Sequence, residues 1–225
     1  MKKFLIMLSL ILSASLPAKA ETISTDNSDF VLIDSVIDDA AFDIRYYSKN
    51  NFTGNKINGY HAPHAYLTKE ALSALSKAAE DLRTQGYRLL IWDSYRPQKA
   101  VDNFVRWIND PNDNGDKSFY PELKKSDLLD GNYVAAKSGH TRGSTVDLTI
   151  IKKDGSFVDM GGTFDLFSEI SHPDYENITD EQKHNRQILH DAMVNAGFKG
   201  IDSEWWHFTL ENEPYPDTYF DFDVR

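Results

Sequence analysis

Leu72, Leu75, Ala79 and Leu82 recur at helical spacing between Thr68 and Gly86. A threonine hydroxyl suits an N-cap and a glycine suits a left-handed stop, so the spacing predicts a helix between them. The apolar run at 87–92 reads as a buried strand. Asp93-Ser94-Tyr95-Arg96 then turns the chain. Pro97 is placed as the first residue of a second helix, whose apolar stripe is Val101, Phe104, Val105 and Ile108. The polar run at 110–115 is a surface loop. Residues 146–151 alternate as a strand does, with Asp154-Gly155 as the turn that follows. A third helix is expected over 184–196, burying Ile188, Leu189, Ala192 and Met193 and stopped by Gly197. Residues 205–210 complete the set as a strand. Helices and strands mix without the alternation of a parallel sheet. The expected fold is α+β, with a central antiparallel sheet flanked by helices. No repeat or flexible linker divides the chain, so residues 21–225 are read as one domain whose packed part begins near Asp29.

The first twenty residues stand apart from that pattern. Met1-Lys2-Lys3 is a positive start, residues 4–12 are apolar, and Ala18-Lys19-Ala20 is a small-x-small cleavage site. This is the layout of a signal peptide, and the run is too short for a stable membrane span. Residues 1–20 are therefore expected to be removed on export to the periplasm, leaving no membrane anchor. Their removal takes three lysines and no acids, so the formal charge moves from −11 to −14. Such an acidic surface repels phosphate backbones, which argues against nucleic acid as a partner. The chain has no cysteine. Disulfides, thiolate metal sites and thiol catalysis are thereby excluded, and any metal must be held by His, Asp or Glu.

Serine-hydrolase elbows, Ser-x-x-Lys pairs, His-Glu-x-x-His and glycine-rich phosphate loops are all missing from the sequence. What remains is a constellation in two parts. Ser138-Gly139-His140-Thr141-Arg142-Gly143 places an imidazole in a polar turn, and Asp147 follows on the next strand. Glu204-Trp205-Trp206-His207 places a carboxyl and an imidazole three residues apart beside bulky aromatics. Two histidines and a carboxylate suit a catalytic zinc with one position open, and Glu204 is left over as a general base. Each part alone reads equally well as ordinary structure: a satisfied turn with a strand-end acid, and a surface pair beside core tryptophans. Their joint occurrence favours the site. Three residues also separate Glu204 and His207 onto opposite faces of a regular strand, so Glu204 must precede the strand or sit at a bulge. His61, His64, His172, His184 and His190 lack partner patterns and read as surface residues.

At these residues the chain resembles the VanX-like zinc D-alanyl-D-alanine dipeptidases. The likeness also covers Asn51-Phe52-Thr53-Gly54, the segment from Gly86 to Pro97 and Glu213-Pro214-Tyr215-Pro216. The family motif Ser-x-His-x-x-Gly-x-Ala-x-Asp is met at Ser138, His140, Gly143 and Asp147, with Thr145 in place of the usual alanine. The resemblance implies the small α+β fold shared by D,D-peptidases and hedgehog domains. It implies one Zn2+ per chain on His140, Asp147 and His207, with Glu204 as catalytic base and Arg96 as oxyanion donor. Tyr46, Tyr133, Ser138 and Asp165 match positions that shape a pocket for a small D,D-dipeptide. Asp165 would hold its ammonium, and Ser138 with nearby backbone its carboxylate. Arg96 reads otherwise as a helix-start arginine paired with Asp93, and Asp165 as a loop acid after Gly161-Gly162. No protein partner is indicated. The resistance enzymes of this family act in the cytoplasm, so an export signal implies recycling of wall-derived dipeptides or wall remodelling instead. A zinc D,D-carboxypeptidase acting on stem peptides and a non-catalytic peptidoglycan-binding module are the competing readings; a binder needs neither Glu204 nor Arg96.

Overall fold

The computed structural model describes residues 21–130 and 133–225; the expected signal peptide lies outside them. In chain order the strands are β1 (Thr22–Ser24), β2 (Phe30–Leu32), β3 (Ala41–Phe42), β4 (Tyr66–Thr68), β5 (Tyr87–Asp93), β6 (Thr145–Lys152), β7 (Phe198–Ile201), β8 (Glu204–Leu210) and β9 (Thr218–Phe220). The helices are α1 (Lys69–Thr84), α2 (Gln98–Asn109), the short α3 (Asp127–Asp130) and α4 (Asp180–Asn195). Among the described residues, no helix is long and apolar enough to cross a membrane.

Helix boundaries follow local chemistry. The Thr68 hydroxyl accepts from the Ala71 amide and caps α1, and all four stripe residues of that helix are buried. Gly86 then takes φ +93° just past the end. Pro97 is the N-cap of α2 rather than its first helical residue, and Trp107 is buried where Val105 is only half-buried. The tryptophan completes the face that packs on Phe52, with ring centroids 5.4 Å apart. The third helix starts earlier than expected, at Asp180. Thr179 and Gln182 form a reciprocal capping box there, satisfying two amides that would otherwise be orphaned. Ile188 on this helix is half-buried, whereas Leu189, Ala192 and Met193 are buried.

The main sheet has the order β3-β5-β6-β8-β7. Its inner pairings are antiparallel as expected, but the edge pair β3–β5 is parallel. Strand β6 lies between β5 and β8 and is buried on both faces from Thr145 to Ile151. A central strand covered on both sides needs apolar or satisfied residues at every position. Asp147 is therefore costly where it stands unless it is paired.

Candidate active site

Strand register brings the chemistry together. Asp147 on β6 faces His207 on β8 on one side and Asp93 on β5 on the other. One row along, Thr145 faces Thr209, and their hydroxyls share a hydrogen bond of 2.8 Å. The residue that departs from the family motif is thus satisfied across the same strand pair. His140 arrives from the turn before β6. Ser138 caps that turn by accepting from the His140 amide at 3.3 Å, and Gly143 ends it at φ +81°. A Cβ on Gly143 would lie 2.3 Å from the Phe30 ring, so both conformation and space require glycine.

Glu204 is the first residue of β8, opposite Ile201 at a register shift in the β7–β8 pairing. That irregularity brings it to His207 despite the three-residue spacing, with Oε2 3.5 Å from Nδ1. Of the two positions foreseen for Glu204, the structure takes the bulge: the residue lies within β8 and not before it.

Three metal-capable side chains converge. Asp147 Oδ2 lies 3.1 Å from His140 Nε2, Asp147 Oδ1 lies 3.0 Å from His207 Nδ1, and the two nitrogens are 3.3 Å apart. Ligand atoms about 2.0–2.1 Å from a tetrahedral zinc stand roughly 3.3 Å from one another, so the spacing fits. Asp147 Oδ1 is buried yet accepts no hydrogen bond, although His207 is so close. A buried oxygen left without a donor is the kind of atom a bound cation would satisfy. The His140 ring is oriented by its Nδ1, 2.7 Å from the Ser94 carbonyl, which leaves Nε2 free as a donor to metal. The trio is the one metal-capable group of His and acidic residues found among the described residues. His61, His184 and His190 are exposed, and His64 and His172 half-buried, as expected for residues outside the site.

A polar layer supports the trio. Asp93, fully buried, accepts from Tyr60 at 2.6 Å and from Arg96 Nε at 2.9 Å. Arg96 also reaches Asp147, Nη2 to Oδ2 at 3.6 Å, and its guanidinium lies 5.0 Å from the centre of the Tyr46 ring. The structural and the catalytic readings of Arg96 are therefore compatible: one nitrogen is anchored and the fork faces the site. Tyr60 and Asp93 were not marked as site residues by sequence reasoning. The Asp-Ser-Tyr-Arg turn hinted at Asp93, but Tyr60 lies 33 positions from it and no local pattern pairs them.

The remaining wall comes from loops. Asp165 is buried, takes φ +59°, and accepts from the Tyr46 hydroxyl at 2.9 Å. A non-glycine residue in the left-handed region marks local strain of the kind often held at functional sites. Tyr133 is half-buried and packs on Phe167, with centroids 5.2 Å apart. Tyr46, Arg96, Tyr133, Ser138 and Asp165 all line one cavity of about 150 Å3 with the donor trio and Glu204. A groove of about 450 Å3 beside α4 also touches Glu204, but none of the trio lines it. The smaller cavity is well below the roughly 300–1,000 Å3 typical of drug-sized ligands.

Charges in this cavity shift one another. Burial opposes ionisation of Asp147, but His140 and His207 outweigh it and hold the carboxyl below its ordinary range. Burial disfavours the charged form of His140 and lowers its pKa. It does the same to His207, where the Asp147 contact prevails and the net shift is upward. Burial, reinforced by the charge of Asp147, pushes Glu204 up to about 7. Asp165 is driven well above the carboxylate range by burial, then by Asp147 and Glu204, with Arg96 opposing. That carboxyl lacks a cation of its own.

A buried His–Asp–His trio beside a carboxyl poised near neutrality and a directed guanidinium is the equipment of a metal-dependent hydrolase. The family model for peptidase family M15, described as D-ala-D-ala dipeptidase, matches residues 26–225, and the chain belongs to that family. A D-alanyl-D-alanine dipeptidase from Streptomyces coelicolor is 42% identical over 198 residues, covering 87% of this chain and 98% of the relative. One from Enterococcus faecium is 41% identical over the same shares, and one from Escherichia coli is 32% identical over 83% of this chain and 86% of the relative.

Proposed function

We propose that the chain is an exported zinc peptidase that hydrolyses D-alanyl-D-alanine through water activated at the His140–Asp147–His207 centre. The observation that carries this reading is the sharing of one small cavity by the donor trio and the buried carboxyl of Asp165, which accepts from Tyr46 and has no ion-pair partner among the described residues. A ligand ammonium bound there shares that small cavity with the reacting carbonyl, which favours a short substrate.

His140, Asp147 and His207 would hold a zinc, which when bound would lower the pKa of water and polarise the scissile carbonyl. Glu204 takes the proton from the attacking water and delivers it to the leaving amine, a task suited to a carboxyl raised toward neutrality. Arg96, anchored through Nε, donates its outer nitrogens to the developing oxyanion without reorganising. Asp165, steadied by Tyr46, pairs with the substrate ammonium. Ser138 and the neighbouring backbone hold the carboxylate, and Tyr133 closes the cavity wall. An acylated N-terminus brings no charge and leaves Asp165 unsatisfied, which costs binding where the site is dry.

The layout of residues 1–20 supports export, and an exported dipeptidase meets wall-derived D-dipeptides rather than the cytoplasmic precursor pool. The test is hydrolysis by the purified protein of D-Ala-D-Ala beside its N-acetylated and tripeptide analogues. Strong preference for the free dipeptide is expected. Preference for the longer substrates would replace this reading with a D,D-carboxypeptidase, and no turnover of any with zinc bound would point to a binding module. Export is tested separately by fractionating cells that express the full chain; retention of uncleaved protein in the cytoplasm would contradict it.

A further inference from the structure

Arg186 lies on α4, outside the small cavity, and is buried. Its guanidinium donates to three backbone carbonyls: Nε to Met160 at 2.6 Å, Nη2 to Ile170 at 2.8 Å and Nη1 to His172 at 2.9 Å. These carbonyls stand at the two ends of a single loop, and Asp165 lies between them. Its planar face rests on Trp205, 5.6 Å from the ring centre, immediately beside Glu204 in the chain. Burial pulls its pKa down to about 10, with Asp159 opposing.

Carbonyls alone are an unusual complement for a buried cation, and three charge-assisted hydrogen bonds in one plane fix geometry as well as energy. The loop needs such a clamp. It carries Asp165 at φ +59°, Phe164 stacked on Trp92 at 5.1 Å, and Phe167 against Phe52 at 5.2 Å. Bonds inside the loop are local: the Leu166, Ser171 and His172 amides reach the carbonyls three residues back, and Ser171 Oγ reaches the Leu166 carbonyl, so none of them joins one stem to the other. Outward, the Phe167 amide donates to the Phe119 carbonyl, Ser168 Oγ to Glu122, and Asp165 accepts from Tyr46. Neighbouring α4 residues add to the first stem alone: Asn185 donates to the Asp159 carbonyl and Gln182 to its side chain. Arg186 is the α4 side chain that holds both stems.

We infer that Arg186 is a positioning residue for substrate selection: by clamping both stems of the loop against Trp205, it sets Asp165 where a free ammonium meets it. This inference rests on the proposed ammonium role of Asp165. The lysine variant keeps the charge but cannot present a planar fork to three carbonyls, so the loop loosens while Asp147 and His207 stay on their strands and His140 in its turn, none of which Arg186 touches.

The zinc-loaded Arg186→Lys protein is assayed on D-Ala-D-Ala and on N-acetyl-D-Ala-D-Ala, with zinc content measured alongside. The KM for the dipeptide is expected to rise about tenfold or more, as a misplaced positioning group costs. The kcat should stay within about threefold and zinc near one per chain, with the N-acetylated substrate little changed. A parallel fall on both substrates, or no change on either, would overturn the positioning role. Arg186→Gln carries the same test if the lysine variant does not fold. Asp165→Asn, measured in parallel, separates the two claims. If it leaves the dipeptide preference intact, the ammonium reading fails and the inference with it. If it abolishes the preference while the Arg186 variants keep theirs, the positioning role alone fails.

Discussion

The metal-donor half of the cavity and its substrate-selecting half are built by opposite means. Asp147 and His207 face each other across the β6–β8 register, and the row beyond them is locked by the Thr145–Thr209 bond. Asp165 and Tyr46 meet from loops 119 positions apart, one of them in a left-handed conformation. Strand register is fixed by many backbone hydrogen bonds at once, because a one-residue slip would turn every side chain to the other face. A loop contact depends on a few clamps. On the proposed function, chemistry falls to the rigid part and selectivity to the part held by side chains.

Two experiments set the two halves against each other, and a third lies outside both. Glu204→Gln removes the proton carrier without removing a donor, so turnover should fall on the order of a hundred- to ten-thousand-fold with zinc retained. Activity within a few-fold of wild type, at full zinc, would take Glu204 out of the mechanism. Asp165→Asn should act on selection alone. The amide keeps the shape but loses the ion pair, so kcat/KM on D-Ala-D-Ala should drop roughly ten- to a hundredfold while the N-acetylated analogue is spared. Equal loss on both substrates would make Asp165 a support for the fold or the metal and erase the division drawn above.

The smallest effect lies away from both halves, at Asp223. Hydrogen bonds from Lys99 and then Arg225 hold its carboxyl down to about 2. A depressed folded-state pKa contributes stability above the unfolded value of about 3.9, and that contribution is lost as pH falls toward 2. The pair is partly exposed, so Asp223→Asn should cost less than about 1 kcal/mol at pH 7, and the difference should vanish near pH 2. Chemical denaturation at both pH values measures it. A change in dipeptide kcat/KM at neutral pH would show instead that the C-terminal tail reaches the site.

Legibility in the sequence followed the same division. The trio, Glu204 and the need for a bulge near it were readable because donors cluster in short segments and strand periodicity is strict. The helices were found where apolar stripes are regular, though Pro97 proved a cap rather than a first turn. The early start of α4 was missed: Thr179-Asp180-Glu181-Gln182 carries the capping chemistry, but the first turn is polar and gives no apolar stripe. The parallel edge pair was not readable, since β3 is two residues long and its partner is chosen by packing. Asp165 emerged only through family resemblance. Tyr60 and Arg186 gave no signal: a lone tyrosine and an arginine in a polar helix turn look like surface residues until the loops close over them.

The central claim is that one metal, held by His140, Asp147 and His207, drives hydrolysis. Its most direct test is to strip the purified protein with chelator and titrate zinc back while following D-Ala-D-Ala cleavage. Activity should rise in proportion to bound zinc and level off at about one per chain. His140→Ala, Asp147→Ala and His207→Ala should each fail to hold zinc or recover activity under the same titration. Full turnover in the stripped protein, or full zinc binding by all three variants, would contradict the account.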